Sequence, residues 1–232
     1  MTCDDDKKAQ DGSYASPPCL AHEIDPTYFD PMAVDLAQAR DVARWRKAKR
    51  DDLRAARKAL SVDEHALVSA RMAEQLESVL LSRFDGAHGL ILSAYWPIKG
   101  EPDLRELMAK LHDAGVIIAL PLVETKAAPL IFHLWTPKTK MVRGDWNIPV
   151  PHADAPKVTP DIALAPLVGW DDQGYRLGYG GGYFDRTLAV LGPRAFAIGI
   201  GYAAAKLPTI FPQPHDIAMD LIVTEDGVQV GK

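Results

Sequence analysis

A chain of 232 residues, 47% hydrophobic and 25% charged, carries enough apolar material for one core of good size. Its formal net charge of −5 excludes a general nucleic-acid binder, though not a local basic pocket for an anionic ligand. The two cysteines, Cys3 and Cys19, provide neither a disulfide framework nor a cysteine-based zinc site, and no apolar run approaches the ~20 residues of a membrane span.

Residues 1–30 are polar, rich in Asp, Ser and Pro, and aperiodic; they read as a mobile extension ahead of a domain at 31–232. The opening MTCDDDKKAQDGS lacks the apolar core of a secretory signal, so a cytoplasmic protein is expected. From about Met32 to Leu60 the pattern is helical, with Val34, Trp45, Leu53 and Leu60 on an apolar stripe. Ser61 and Glu64 then form a capping box that starts a second helix, running to about Arg83. GLILSAYW is a short apolar strand. PDLRELMAKLHDAG is an amphipathic helix with Pro102 near its start and Gly115 at its C-cap. VIIALPLV is a buried strand, and PLIFHLW a further one able to form a hairpin with it. DIALAPLVGW is another buried strand, ending at about Trp170 and feeding a glycine-rich segment. YFDRTLAVLG is a helix, and RAFAIGIGY and DLIVTEDG are the last strands. Buried strands alternating with helices imply a single α/β domain with a mainly parallel central sheet and helices on its faces. Ligands in such sheets bind past the carboxyl ends of strands, where the glycine segment falls.

That segment, RLGYGGGYFDRTL, places Gly178, Gly180, Gly181 and Gly182 between Arg176 and Asp185. Glycines let the backbone bring its N–H groups close to a ligand, the following helix adds partial positive charge, and Arg176 adds a planar cation suited to phosphate oxygens. The pattern reads as a phosphate cradle or as a glycine turn that only packs. A Walker loop is excluded, because Tyr183 and Phe184 stand where Lys and Ser/Thr are needed. A dinucleotide fold is excluded, because Gly201 and Tyr202 stand where an acid is needed. Asp185 suits either a hard cation bridging phosphates or the helix dipole, and Asp216 is either a second ligand to that cation or a loop aspartate. His88, His112, His133, His152 and His215 show no metal-ligand spacing.

LVGWDDQGYRLGYGGGYFDRTL closely resembles the signature of the 5-formyltetrahydrofolate cyclo-ligase (methenyltetrahydrofolate synthetase) family. The basic helix RWRKAKRDDLRAARKALS, the Gly100–Glu101 pair after the first strand, and Trp146, Ile148, Pro149 and Pro151 agree in order and spacing, so the resemblance covers roughly residues 40–226. It implies a three-layer, Rossmann-like fold of the NagB/RpiA/CoA-transferase-like type. It also implies ATP- and magnesium-dependent cyclisation of 5-formyltetrahydrofolate to 5,10-methenyltetrahydrofolate, with release of ADP and phosphate. The γ-phosphoryl group of ATP would pass to the formyl oxygen, the second folate nitrogen would attack the activated carbon, and phosphate would leave. Such chemistry asks for positioning and charge neutralisation rather than a strong base.

Carried over by residue, the resemblance places Arg46 and Arg50 against ATP, with Lys47 and Lys49 as the alternative register. Arg46 stands where lysine is common in the family, and a solvated basic face would look the same in sequence. The main chain of Arg176, Leu177, Gly178, Tyr179, Gly180, Gly181 and Gly182 would cradle the phosphates. Arg176, Tyr183 and Asp185 would be catalytic, and Asp185 and Asp216 would hold magnesium. Glu101 would bind the pterin or cap the helix at Pro102. Trp146 and Tyr183 would wall the folate pocket or pack in the core, and the same choice is open for Tyr95 and Trp96 in the loop AYWPIKG. The implied partner is a small molecule, 5-formyltetrahydrofolate or its polyglutamates, bound by a monomer with no nucleic-acid or membrane partner. A non-catalytic folate or nucleotide binder and a small kinase for another substrate are the rival functions.

Overall fold

A computed structural model describes residues 36–231. The extension expected at 1–30 lies outside the described residues, as does Val34. The chain divides into two compact units, Met1–Trp45 and Arg46–Lys232. The described part of the first is helical, within the helix α1 (Leu36–Ala59).

In the second unit, α1 gives way to α2 (Val62–Phe84) through the expected capping box. Ser61 Oγ accepts from Glu64 N at 3.2 Å, and Glu64 Oε2 accepts from Ser61 N at 2.7 Å. Further on come β1 (Ile91–Ser93), α3 (Arg105–Asp113), β2 (Ile117–Leu122) and β3 (Ile131–Trp135). They are followed by β4 (Met141–Arg143), β5 (Pro149–Pro151), β6 (Lys157–Val158) and β7 (Ile162–Pro166). After β8 (Gly169–Trp170) and β9 (Arg176–Leu177) the chain forms α4 (Tyr183–Leu191), β10 (Phe196–Ile200), β11 (Leu221–Thr224) and β12 (Gly227–Gly231). The main sheet has the order β12-β11-β10-β7-β1-β2-β3-β6. The strands from β11 to β2 are mutually parallel; β12 pairs antiparallel with β11 at one edge, and towards the other edge β3 is antiparallel to β2 and β6 to β3. This is the mainly parallel α/β architecture the strand–helix alternation predicts.

The central strands are apolar on both faces because both are covered. Ile162 and Leu164 of β7, Ile198 and Ile200 of β10, and Leu221 and Val223 of β11 pack with Met72, Leu76 and Leu80 of α2 and with Met108 of α3. The alternating residues Ala163, Ala165, Ala197 and Ile222 face a second cluster with Trp170 and Leu188, against which Leu53 and Leu60 pack. Large side chains on one face and mostly alanine on the other make the layers unequal in depth. Among the described residues no helix is long and apolar enough to cross a membrane.

Two boundaries differ from the sequence reading. The third helix begins at Arg105, not at Pro102, because residues 102–104 are held by other groups. Tyr95 Oη donates to Pro102 O, Ser69 Oγ accepts from Asp103 N, and Asp103 Oδ1 accepts from Arg105 N. Ala114 is its C-cap, followed by Gly115 at φ +90°. The strand expected to reach Trp170 leaves the main sheet at Pro166, and Gly169–Trp170 pairs instead with Arg176–Leu177 as a separate hairpin. The short strands β4, β5, β6 and β12 carry too little periodicity to be read from sequence.

Candidate active site

The parallel strands run outward from β1, first to β2 on one side and then to β7, β10 and β11 on the other. The order therefore reverses between β1 and β7, which opens a crevice beyond their carboxyl ends. Glu101 lies in the loop after β1, and the glycine bend follows β7 by way of the β8–β9 hairpin. Tyr202 follows β10, so it comes from the neighbouring strand end.

Asp171 fixes the hairpin. It is 1% exposed, its Oδ1 accepts from Gln173 N and Tyr175 N at 3.1 Å each, and its Oδ2 accepts from Ile210 N at 2.9 Å. A buried carboxylate is tolerable when backbone donors satisfy it in this way. Beyond β9 the chain bends, with Gly180 at φ +102° and Gly182 at φ +63°. Both values favour glycine, because a Cβ there strains the backbone. Gly182 is the N-cap of α4 and no side chain caps that helix, which leaves its first amides for a ligand.

Arg50, Arg176 and Arg186 flank the bend, and Arg46 lies one helical turn from Arg50. Arg50 Nε donates to Gly178 O at 2.7 Å, and its guanidinium carbon lies 3.5 Å from where a Cβ on Gly180 would stand. Burial and the like charge of Arg46 lower the Arg50 pKa, an unfavourable state that a bound anion would relieve. Arg46 is buried, donates through Nε to Ile210 O and through Nη2 to Phe211 O at 2.9 Å each, and is ion-paired with Asp216. Arg176 is also buried, pairs through Nη2 with Asp185 Oδ1 at 3.0 Å, and donates to Ile217 O at 3.3 Å. Asp185 Oδ1 accepts in addition from Ile217 N at 3.3 Å, so Asp185 meets the chain next to Asp216. Arg186 lies over the Tyr183 ring and donates to Gly181 O, while its Nε is buried without a partner. That orphaned donor and the uncapped helix suit an anion at the bend.

The two aspartates are each neutralised by an arginine, and no cluster of three or more His, Cys, Asp or Glu forms among the described residues. The protein alone therefore offers no full cage. One or two carboxylates do fit a magnesium ion that takes its other ligands from phosphates and water. Asp185 fits that part better than Asp216. Both Asp185 contacts fall on Oδ1, whereas Arg46 engages both oxygens of Asp216.

Glu101 is 7% exposed, and its Oε2 accepts from Ile98 N at 2.9 Å. Burial pushes its pKa up to about 7, against the opposing pull of the Ile98 amide, the Tyr179 hydroxyl, Arg57 and Lys99. It lines a cavity of about 550 Å³ shared with His65, Ser69, Lys99, Asp103 and Arg105; neither Trp146 nor Tyr183 lines that space. Trp146 is 68% exposed, and its ring stands edge-to-face with Tyr183 at 5.5 Å. Core packing is thus excluded for Trp146. Tyr95 is buried and Trp96 packs at the edge of the core under Arg105, so both take the packing role.

The sequence model of the 5-formyltetrahydrofolate cyclo-ligase family matches residues 42–225. The chain belongs to that family. The cyclo-ligase of Escherichia coli is 34% identical over 102 residues, which are 42% of this chain and 56% of that enzyme, so the match spans little more than half of that relative's length. The cyclo-ligase of Mycolicibacterium smegmatis is 31% identical over 144 residues, 59% of this chain and 74% of the relative. The structure of a 5,10-methenyltetrahydrofolate synthetase from Mycoplasma pneumoniae superposes with a TM-score of 0.64 at 25% identity, covering 78% of this chain and 98% of that one.

Within this cyclo-ligase-family chain, the structure gathers Arg46, Arg50, Arg176–Gly182, Asp185 and Asp216 around one bend. Lys47 is exposed and Lys49 contacts Asp52, whereas Arg50 meets the bend and Arg46 pairs with Asp216. Leu177 is 1% exposed and its carbonyl accepts from Val168 N at 2.8 Å, so it is committed to the hairpin rather than open to a ligand. Besides Arg186 and Tyr202, three more residues escaped the sequence reading. Arg57 lies on the same helix face as Arg46 and Arg50, a spacing that could have flagged it. Asp171 opens an Asp-x-x-Gly turn, a legible signal. His65, whose Nδ1 meets Tyr202 Oη at 2.9 Å, left none.

Proposed function

We propose that this chain is an ATP-dependent 5-formyltetrahydrofolate cyclo-ligase. The observation that carries the proposal is the meeting, across the β1/β7 crevice, of an anion-suited glycine bend and a buried carboxylate of raised pKa. On this proposal the formyl oxygen takes the γ-phosphoryl group, the second folate nitrogen closes the ring, and ADP and phosphate leave. Magnesium, when bound, would neutralise phosphate charge beside Asp185, with Asp216 serving as the counter-ion of Arg46. In this reading the amides of residues 178–182 hold the phosphates, and Arg50 and Arg186 offset their charge. Arg176 holds Asp185 in place. Glu101 takes the donor edge of the pterin, and the Trp146–Tyr183 pair offers an aromatic wall.

The test is the growth of the methenyl-folate absorbance band from 5-formyltetrahydrofolate, dependent on both ATP and magnesium. Folded protein that forms no band would overturn the proposal. If it bound both ligands without releasing ADP, the non-catalytic binder would stand in its place.

A further inference from the structure

Arg57 and Tyr179 join the two halves of the crevice. Arg57 is 4% exposed. Its Nη2 donates to Leu167 O, at the end of β7, at 2.5 Å, and its Nη1 donates to Tyr179 Oη at 3.2 Å. The same guanidinium lies 5.1 Å from the centre of the Tyr202 ring, and its Nε is buried without a partner. Tyr202 Oη donates to Gly100 O at 2.7 Å. Its one proton is thereby used, so His65 Nδ1 is the donor in the 2.9 Å contact between them. Gly100, at φ +77°, sits against the Arg57 stem, 3.2 Å from a would-be Cβ to Cγ. Arg57 therefore sets the place of the Gly100–Glu101 turn as well as that of the bend.

Tyr179 stands between Gly178 and Gly180, on the very stretch whose amides would meet phosphate. Its hydroxyl accepts from Arg57, and Lys99, two residues before Glu101, lies 5.6 Å from the centre of its ring. Burial, first, and the Glu101 charge, second, raise the Tyr179 pKa far above that of a free tyrosine, so the hydroxyl keeps its proton and remains a donor. Arg57 thus links the bend to the turn that carries the carboxylate: it hydrogen-bonds Tyr179 on one side and packs its stem against Gly100 on the other.

Building on the cyclo-ligase reading, we propose that Arg57 and Tyr179 are positioning residues that couple occupancy of the glycine bend to the placement of Glu101. Glycine-flanked backbone is free to move until an anion orders it. Once ordered, it fixes the Tyr179 ring and, through Arg57, the Gly100–Glu101 turn that presents the carboxylate to the pterin edge. Ordering that serves both ligands is incurred once, so each ligand tightens the other.

The experiment is calorimetric titration of the full chain with 5-formyltetrahydrofolate, with and without a non-hydrolysable ATP analogue and magnesium. The quantity read is the ratio of the two folate affinities, and the same ratio must appear for the analogue with and without folate. For the native sequence a ratio on the order of ten is expected. Tyr179→Phe keeps the ring and removes only the hydroxyl; its ratio should fall to within about twofold of one. Arg57→Lys keeps the charge but loses the fork that holds Leu167 O and Tyr179 Oη together, and should lower the ratio as well. A general loss of folding would lower both affinities and the melting temperature instead of the ratio. If Tyr179→Phe retained the native ratio, or if the native chain bound both ligands with no coupling, the inference would fail and the cyclo-ligase reading would stand. If the native chain bound neither ligand, the cyclo-ligase reading would fail and take the inference with it.

Discussion

Replacing Glu101 by glutamine should make the empty protein more stable at neutral pH and no more stable in acid. The carboxyl titrates at 4.5 in an exposed setting and at about 7 when folded, chiefly because it is buried. Between those values the folded chain holds the proton that the unfolded chain releases. Stability of the native sequence therefore falls as pH rises from 4.5 to about 7, and the penalty is complete above that. The displacement corresponds to roughly 3 kcal/mol of cost for the charged form. Glutamine carries no charge and its Oε1 can still accept from Ile98 N, though its new amide needs an acceptor, a loss of about 1 kcal/mol. Urea unfolding of both proteins at pH 4.5 and pH 8 should thus show a difference that moves by about 3 kcal/mol in favour of the variant, with a net gain near 2 kcal/mol at pH 8. Other groups titrate equally in both chains and cancel. A difference that did not change with pH would refute the claim that this carboxyl is buried at such cost, and with it the notion of a site strained for its ligand.

Asp185→Ala should abolish turnover while urea and thermal unfolding remain cooperative, with Arg176 left without its partner; retained turnover would remove Asp185 from the site. Gly180→Ala should weaken nucleotide binding by strain. At φ +102° a side chain costs roughly 1–3 kcal/mol, although the new Cβ would meet Arg50 only at 3.5 Å. A binding titration showing unchanged affinity would mean that the bend is not the anion site. Asp171→Ala should lower stability by roughly 2–3 kcal/mol, since Gln173, Tyr175 and Ile210 lose the acceptor of their amides; chemical unfolding measures it, and a change under about 0.5 kcal/mol would refute the staple role.

Much of this arrangement is legible in the chain. The Ser61–Glu64 box, the apolar strands and the glycine bend carry local signals, and the structure places each close to where those signals point. Proline at 102 marks a permitted first helical position, but contacts from Tyr95 and Ser69 hold residues 102 and 103 outside the helix. The early end of the strand at Pro166 likewise depends on pairing between β8 and β9, which periodicity does not encode. In the site, Arg46 and Arg50 could be named from the basic helix, but their fates could not. Arg46 is committed to Asp216 and two carbonyls, and only Arg50 lies against the bend. The link that Arg57 makes between Tyr179 and the Gly100–Glu101 turn joins residues far apart in sequence, so only the strand order brings them together.

The most direct test of the central claim is a crystal structure of the protein with magnesium and an ATP analogue. The terminal phosphates should lie within hydrogen-bonding distance of the main-chain amides of residues 178–182, with Asp185 facing the metal. A triphosphate bound elsewhere, with that bend unchanged and bare, would contradict it.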